Sequence, residues 1–163
     1  MPGPIFAFLA DDHARLDALL TRATAAPDRI DAEAYRELRA GLLRHIAMEE
    51  KVLFADARAR RGGEHLPVTR QLHADHAAIA SILVPPPTHA LIATLRQILV
   101  EHNPLEEGPG GLYEACEALA GAEVPALLAR MHAIPPVRVS EPLDEPRIHE
   151  HIARMVAART PAA

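Results

Sequence analysis

Two short stretches of the chain share one pattern, HIAMEE at residues 45–50 and HNPLEE at residues 102–107. Each sets an imidazole four residues before a carboxylate, a spacing that leaves the pair about 40° apart around a helix. A second repeat accompanies the first. Asp12-His13-Ala-Arg-Leu16 matches Asp75-His76-Ala-Ala-Ile79, and both run on to an apolar pair, Leu19-Leu20 and Ile82-Leu83. His73 stands one turn before His76. Imidazole nitrogens mixed with carboxylate oxygens form a donor set for first-row transition metals. The candidate metal ligands are therefore His13, His45, Glu49, His73, His76, His102 and Glu106. Five histidines and two glutamates would fill most positions of two octahedral ions and leave a place for a small ligand.

The elements that must position these residues read as helices. Ile5, Leu9, His13, Leu16 and Leu20 form one face over residues 4–22. A second helix starts near Asp31 and carries Tyr35, Leu38, Leu42, His45, Glu49 and Val52 before Gly62-Gly63 ends it. The third follows His65, with Leu66, Thr69, His73, His76, Ala80 and Leu83, and stops at Pro85-Pro86-Pro87. Thr88 can cap the fourth, with Ile92, Leu95, Leu99, His102 and Glu106 on its stripe. In every one, the apolar spacing that defines a buried face runs through histidine or glutamate. A buried, unpaired carboxylate costs several kcal/mol at least, so a cation must compensate.

The fold expected is all-α, an up-down-up-down four-helix bundle with an extra C-terminal helical segment. Each hairpin offers a histidine from its first helix and a histidine plus a glutamate from its second, which gives a pseudo-twofold site. Helix lengths bring the polar positions of the first hairpin to one level within about a turn, and the climb of the three prolines offsets a mismatch of roughly 9 Å in the second. One position stays open. Pro104 removes the N–H that would bond the Val100 carbonyl, and a one-residue bulge there would turn Glu107 inward in place of Glu106. The repeat aligns Glu106 with Glu49 and favours it.

Residues 1–120 read as the bundle and residues 121–163 as an accessory segment. That segment holds a helix near 123–133, the link IPPVRVSEPLDEP and a last helix near 147–159 with Ile148, Ile152, Met155 and Val156 on one side. It would cover the bundle or form a homodimer contact. His149 and His151 are about 200° apart on a helix and cannot chelate together. They receive no metal role, nor do His65, His89 and His132.

Bulk properties narrow the class. At 163 residues the chain is of one-domain size, and its single cysteine, Cys116, allows no intrachain disulfide. A net charge of −5 with interspersed signs gives no footprint for nucleic acid. No apolar run reaches the roughly 18 residues of a membrane span. The N-terminus lacks a basic region and runs into Asp11 and Asp12, unlike a signal peptide, so a cytoplasmic protein is expected.

With these residues in place, the sequence resembles the hemerythrin-like, or HHE cation-binding, family. The matching stretches are DDHARLDALL, LLRHIAMEEKVLF, LHADHAAIASIL and LVEHNPLEEGPGGLY, over roughly residues 5–116. The resemblance implies a four-helix bundle with a non-haem di-iron centre, the seven candidates as ligands to two iron ions, and the two carboxylates bridging them. One departure is that the hemerythrin branch spaces its third-helix histidines at i+4, whereas His73 and His76 are at i+3. The expected function is binding or sensing of a small diatomic ligand, O₂ or NO. The alternatives are a di-iron enzyme that reduces O₂ or peroxide or handles iron, and a bundle that metal merely stabilises. Carboxylate-rich Glu and Glu-x-x-His sets belong to ferritin-like di-iron proteins. The imidazole-rich set here favours reversible binding over oxidation.

Overall fold

The computed structural model describes residues 2–159, and every regular element among them is helical. The helices are α1 (Pro4–Ala23), α2 (Ala32–Met48), α3 (Ala55–Arg60), α4 (Thr69–Ile82), α5 (His89–Glu107), α6 (Leu112–Ala120), α7 (Val124–His132) and α8 (Pro146–Ala158). A π-helical turn, Glu49–Phe54, joins α2 to α3, and a 3₁₀ turn, Gly121–Glu123, precedes α7. Local chemistry accounts for the ends. The Asp31 carboxylate accepts the Ala34 N–H and the Thr88 hydroxyl oxygen accepts the Leu91 N–H, each satisfying a donor that the first turn leaves free. Gly62 and Gly63 take φ of 67° and 100°, a left-handed break that side chains resist.

The helices form a bundle around two apolar clusters. One gathers Ile5, Leu9, Met48, Val52, Leu53, Phe54, Leu72 and Tyr113; the other gathers Leu16, Leu20, Leu38, Leu42, Ile79, Ile82, Ile92 and Leu95. Between them, in sequence along every long helix, come the polar positions 13, 45–49, 76 and 102–106. A buried polar layer therefore divides the core.

Three features differ from the sequence expectation, and at the position left open it is Glu106 that is buried. The second helix is not regular to its end, because the π turn begins at Glu49. Pro104 produces no bulge: α5 stays helical through it to Glu107, and Glu106 is fully buried. A helix tolerates one missing N–H where its neighbours hold it, and here the Gly108 N–H still bonds the Pro104 carbonyl. The third helix starts only at Thr69, whose hydroxyl donates to the Leu66 carbonyl and so turns the chain into it. Helix α6, across the turn at residues 108–111, was not foreseen.

The described residues of the C-terminal segment build no core of their own. Leu127 and Met131 of α7 join the first cluster and Ile152 of α8 joins the second. The link between them is tied along α2 by arginines. Arg44 Nε donates to the Ile134 carbonyl (3.0 Å), and the buried Arg39 donates to the Leu83 (2.8 Å) and Ser140 (3.0 Å) carbonyls.

Candidate metal centre

Glu49 and Glu106 are both 0% exposed and lie at the middle of the polar layer. Around them stand two groups of potential ligands, each compact enough to enclose an ion. One is His13, His45, Glu49 and Glu106; the other is Glu49, His76, His102 and Glu106. The carboxylates are shared between the groups, oxygen by oxygen. Glu49 turns Oε1 toward His45 Nε2 (3.3 Å) and Oε2 toward His76 Nε2 (3.2 Å). Glu106 turns Oε2 toward His13 Nε2 (3.4 Å) and Oε1 toward His102 Nε2 (3.0 Å).

The other ring nitrogen of each histidine meets an outer carboxylate. Asp12 holds His45 Nδ1 (2.8 Å) and Asp75 holds His102 Nδ1 (3.1 Å). Glu50 holds His76 Nδ1 (2.9 Å), and Glu107 holds His13 Nδ1. This explains the doubled glutamates. In each His-x-x-x-Glu-Glu the first carboxylate enters the layer and the second crosses to the histidine of the opposite hairpin. The wide π turn lets Glu49 and Glu50 reach the two nitrogens of one ring, His76. A proton fixed on Nδ1 leaves Nε2 to face the centre, the arrangement that orients histidine toward metals.

His73 does not join either group. Its side chain is 46% exposed, and its Nδ1 binds Glu50 Oε1 at 3.0 Å, beside His76. Three residues turn a helix by about 300°, so His73 sits about 60° from His76, on the flank of α4. The expected fifth imidazole is thus placed outside the centre, leaving four. His149 lies far along the chain on Asp144 (2.7 Å), in solvent.

Tyr113, which sequence patterning did not single out, reaches the centre from α6. Its hydroxyl donates to Glu49 Oε1 (2.7 Å), lies 3.2 Å from Glu106 Oε2, and is 3.4 Å from Nε2 of both His13 and His45. One group is therefore closed by a phenol. In the other, Glu49 Oε2, His76 Nε2 and Glu106 Oε1 are buried without a hydrogen-bond partner. Orphaned buried polar atoms are costly, and a cation in place of the proton on His76 Nε2 would satisfy all three at once. The residues fit a metal ion.

The electrostatics of the centre point the same way. Burial alone would lower the pKa of His45, but Glu49 and Asp12 outweigh it and push it to about 10. His76 is pushed to about 11 against burial by Glu106, Glu49 and Glu50, and His102 to about 9 by Glu106 and Asp75. Glu49 is held well below the usual carboxylate range by His45 and His76 although burial opposes it. Burial, reinforced by Glu49 and Glu106, raises Tyr113. The carboxylates of the layer thus favour positive charge there, as protons on the imidazoles or as a metal cation that replaces them.

Fold and site together define a helical bundle built to hold cations on imidazole and carboxylate. The chain belongs to the hemerythrin HHE cation-binding domain family, whose model matches residues 5–109. Comparison with curated proteins and with solved structures finds no significant match. No helix among the described residues is long and apolar enough to cross a membrane.

Proposed function

We propose that the chain holds a non-haem di-iron centre in an up-down-up-down bundle and binds or senses a small diatomic ligand, O₂ or NO. The observation that carries this reading is the pair of ligand groups sharing Glu49 and Glu106. His13 and His45 would serve one iron, His76 and His102 the other, with both carboxylates spanning them. Two imidazoles and two shared oxygens per ion leave coordination positions open. When bound, the iron pair supplies the electrons and the open position that a diatomic needs.

The chain's own residues do the rest. Asp12, Asp75, Glu50 and Glu107 fix the proton on each Nδ1 and hold the rings in place. Tyr113 aims an O–H into the layer, where it can donate to a polar guest. Apolar clusters pack on both sides of the layer. Four imidazoles against two carboxylates favour reversible uptake over oxidation of a substrate.

The test is to quantify metal in the purified protein and record its optical spectrum without air, then with air or NO. Close to two irons per chain and a reversible spectral change are expected. Chelation should also lower the melting temperature, because metal bound only to the folded state stabilises it. Metal-free protein with unchanged melting after chelator would exclude the di-iron reading.

A further inference from the structure

A cavity of about 390 Å³ lies among α1, α2, α4 and α5, in the half of the bundle that holds the second cluster. His13, His45 and His102 form its inner end, while Glu49, Glu106 and His76 do not line it. It therefore adjoins the ligand layer and is not the ligand layer itself. Leu16, Leu20, Leu38, Leu42 and Ile79 wall it. From His13 to Leu20 it follows α1 for roughly 10 Å. Asp17, Arg96, Val100 and Asn103 bound its outer side, and Val100 is 75% exposed, so it opens to solvent between α1 and α5. The Asn103 side-chain oxygen is buried there without a partner.

Size decides what this space is for. A diatomic needs about the share of one water, roughly 30 Å³. The cavity is an order of magnitude larger, and interiors are otherwise close-packed. It falls instead within the roughly 300–1,000 Å³ of small-molecule pockets, which are mostly apolar with a few placed polar groups.

We propose that this cavity binds an apolar chain of medium length ending in an acidic group, with the head at Arg96 and the tail toward the imidazoles. It rests on the di-iron reading only for what the tail meets. Among the described residues, Arg96 is the one arginine or lysine in the lining. Its Nη2 donates to the Thr24 hydroxyl (3.1 Å) and its Nη1 stands 3.9 Å from Asp17, so donors of the five-donor guanidinium remain free. The Asp17 side chain is 74% exposed, where water screens its charge. Arg96 precedes His102 by about 9 Å along α5, the extended length of a saturated chain of roughly eight carbons.

Octanoate and 1-octanol are the probes, titrated calorimetrically into protein whose metal content is measured on the same sample. Octanoate should bind once per chain. Leu99→Trp, which fills the cavity, should weaken binding at least about tenfold, and Arg96→Met about tenfold for octanoate with 1-octanol unchanged. Asp17→Asn should tighten octanoate. Circular dichroism confirms that each variant is folded, and Ile46→Phe serves as a second filler should Leu99→Trp fail to fold. Absence of saturable octanoate binding, or binding that survives a folded filler, overturns the cavity assignment. An effect of Arg96→Met equal for both probes overturns the head-group assignment. Metal content reads the di-iron proposal separately: protein without metal that still binds octanoate sinks that proposal alone, and metal-loaded protein that ignores octanoate sinks this one alone.

Discussion

His73 and His76 are three residues apart and meet the same Glu50 oxygen, yet only His76 turns a nitrogen into the buried layer. His73→Ala should therefore leave metal content unchanged, whereas His76→Ala and His102→Ala should each lower it sharply by elemental assay. Loss of metal on His73→Ala would restore the five-imidazole centre. Tyr113 permits a second test at this scale. Phenylalanine keeps the ring but deprives Glu49 Oε1 of its donor, so Tyr113→Phe should destabilise metal-free protein by about 1–3 kcal/mol in denaturant titration. Metal stoichiometry should not fall, since four imidazoles and both carboxylates remain. No loss of stability would mean that water replaces the phenol.

Helix α8 lies beyond the residues that the family model matches, yet it touches the centre's outer ring. Arg159, just past its end, donates to Asp75 (2.7 Å) and Glu101 (2.9 Å) with a side chain only 10% exposed. Asp75 in turn orients His102. The equivalent carboxylate of the other hairpin, Asp12, has Arg15 from its own helix instead, half in solvent. The two halves of the centre are thus supported differently. Asp75→Asn should weaken metal binding about 10–100-fold in competition with a chelator. Arg159→Met should act in the same direction but less, Arg159→Lys should recover part of it, and Arg15→Met should do little. Equal effects of Arg15→Met and Arg159→Met would show that α8 plays no special part.

For the whole molecule, Cys116 reports on opening. It is buried in the first cluster, and burial, aided by Asp56 and Glu49, pushes its thiol up to about 12. The reactive thiolate is then scarce in the folded state at pH 8, whereas an unfolded cysteine near 8.5 ionises readily. Alkylation should follow global unfolding, and it should run slower in metal-loaded protein than after chelation. Rapid labelling of folded protein at pH 8 would show that α6 opens on its own.

How much of this was legible beforehand follows from what is local. The i,i+4 spacing of His45 with Glu49 and of His102 with Glu106, and the repeat that pairs His13 with His76, put six residues on buried stripes by helical period alone, and the cost of burying carboxylates called for a cation. Glu106 rather than Glu107 also followed from that period, because α5 runs unbroken through Pro104. The partners did not follow. Asp12 and Asp75 sit next to the candidate histidines His13 and His76, off the apolar stripe, and matter only because a neighbouring helix presents an imidazole there. Tyr113 lies on a short helix after the turn at residues 108–111, and Arg159 meets Asp75 across 84 residues. Period fixes which face of a helix turns inward. The rotation and height of one helix against the next, which decide whose side chains meet, are set by packing of the whole core, and no spacing within a single element encodes them.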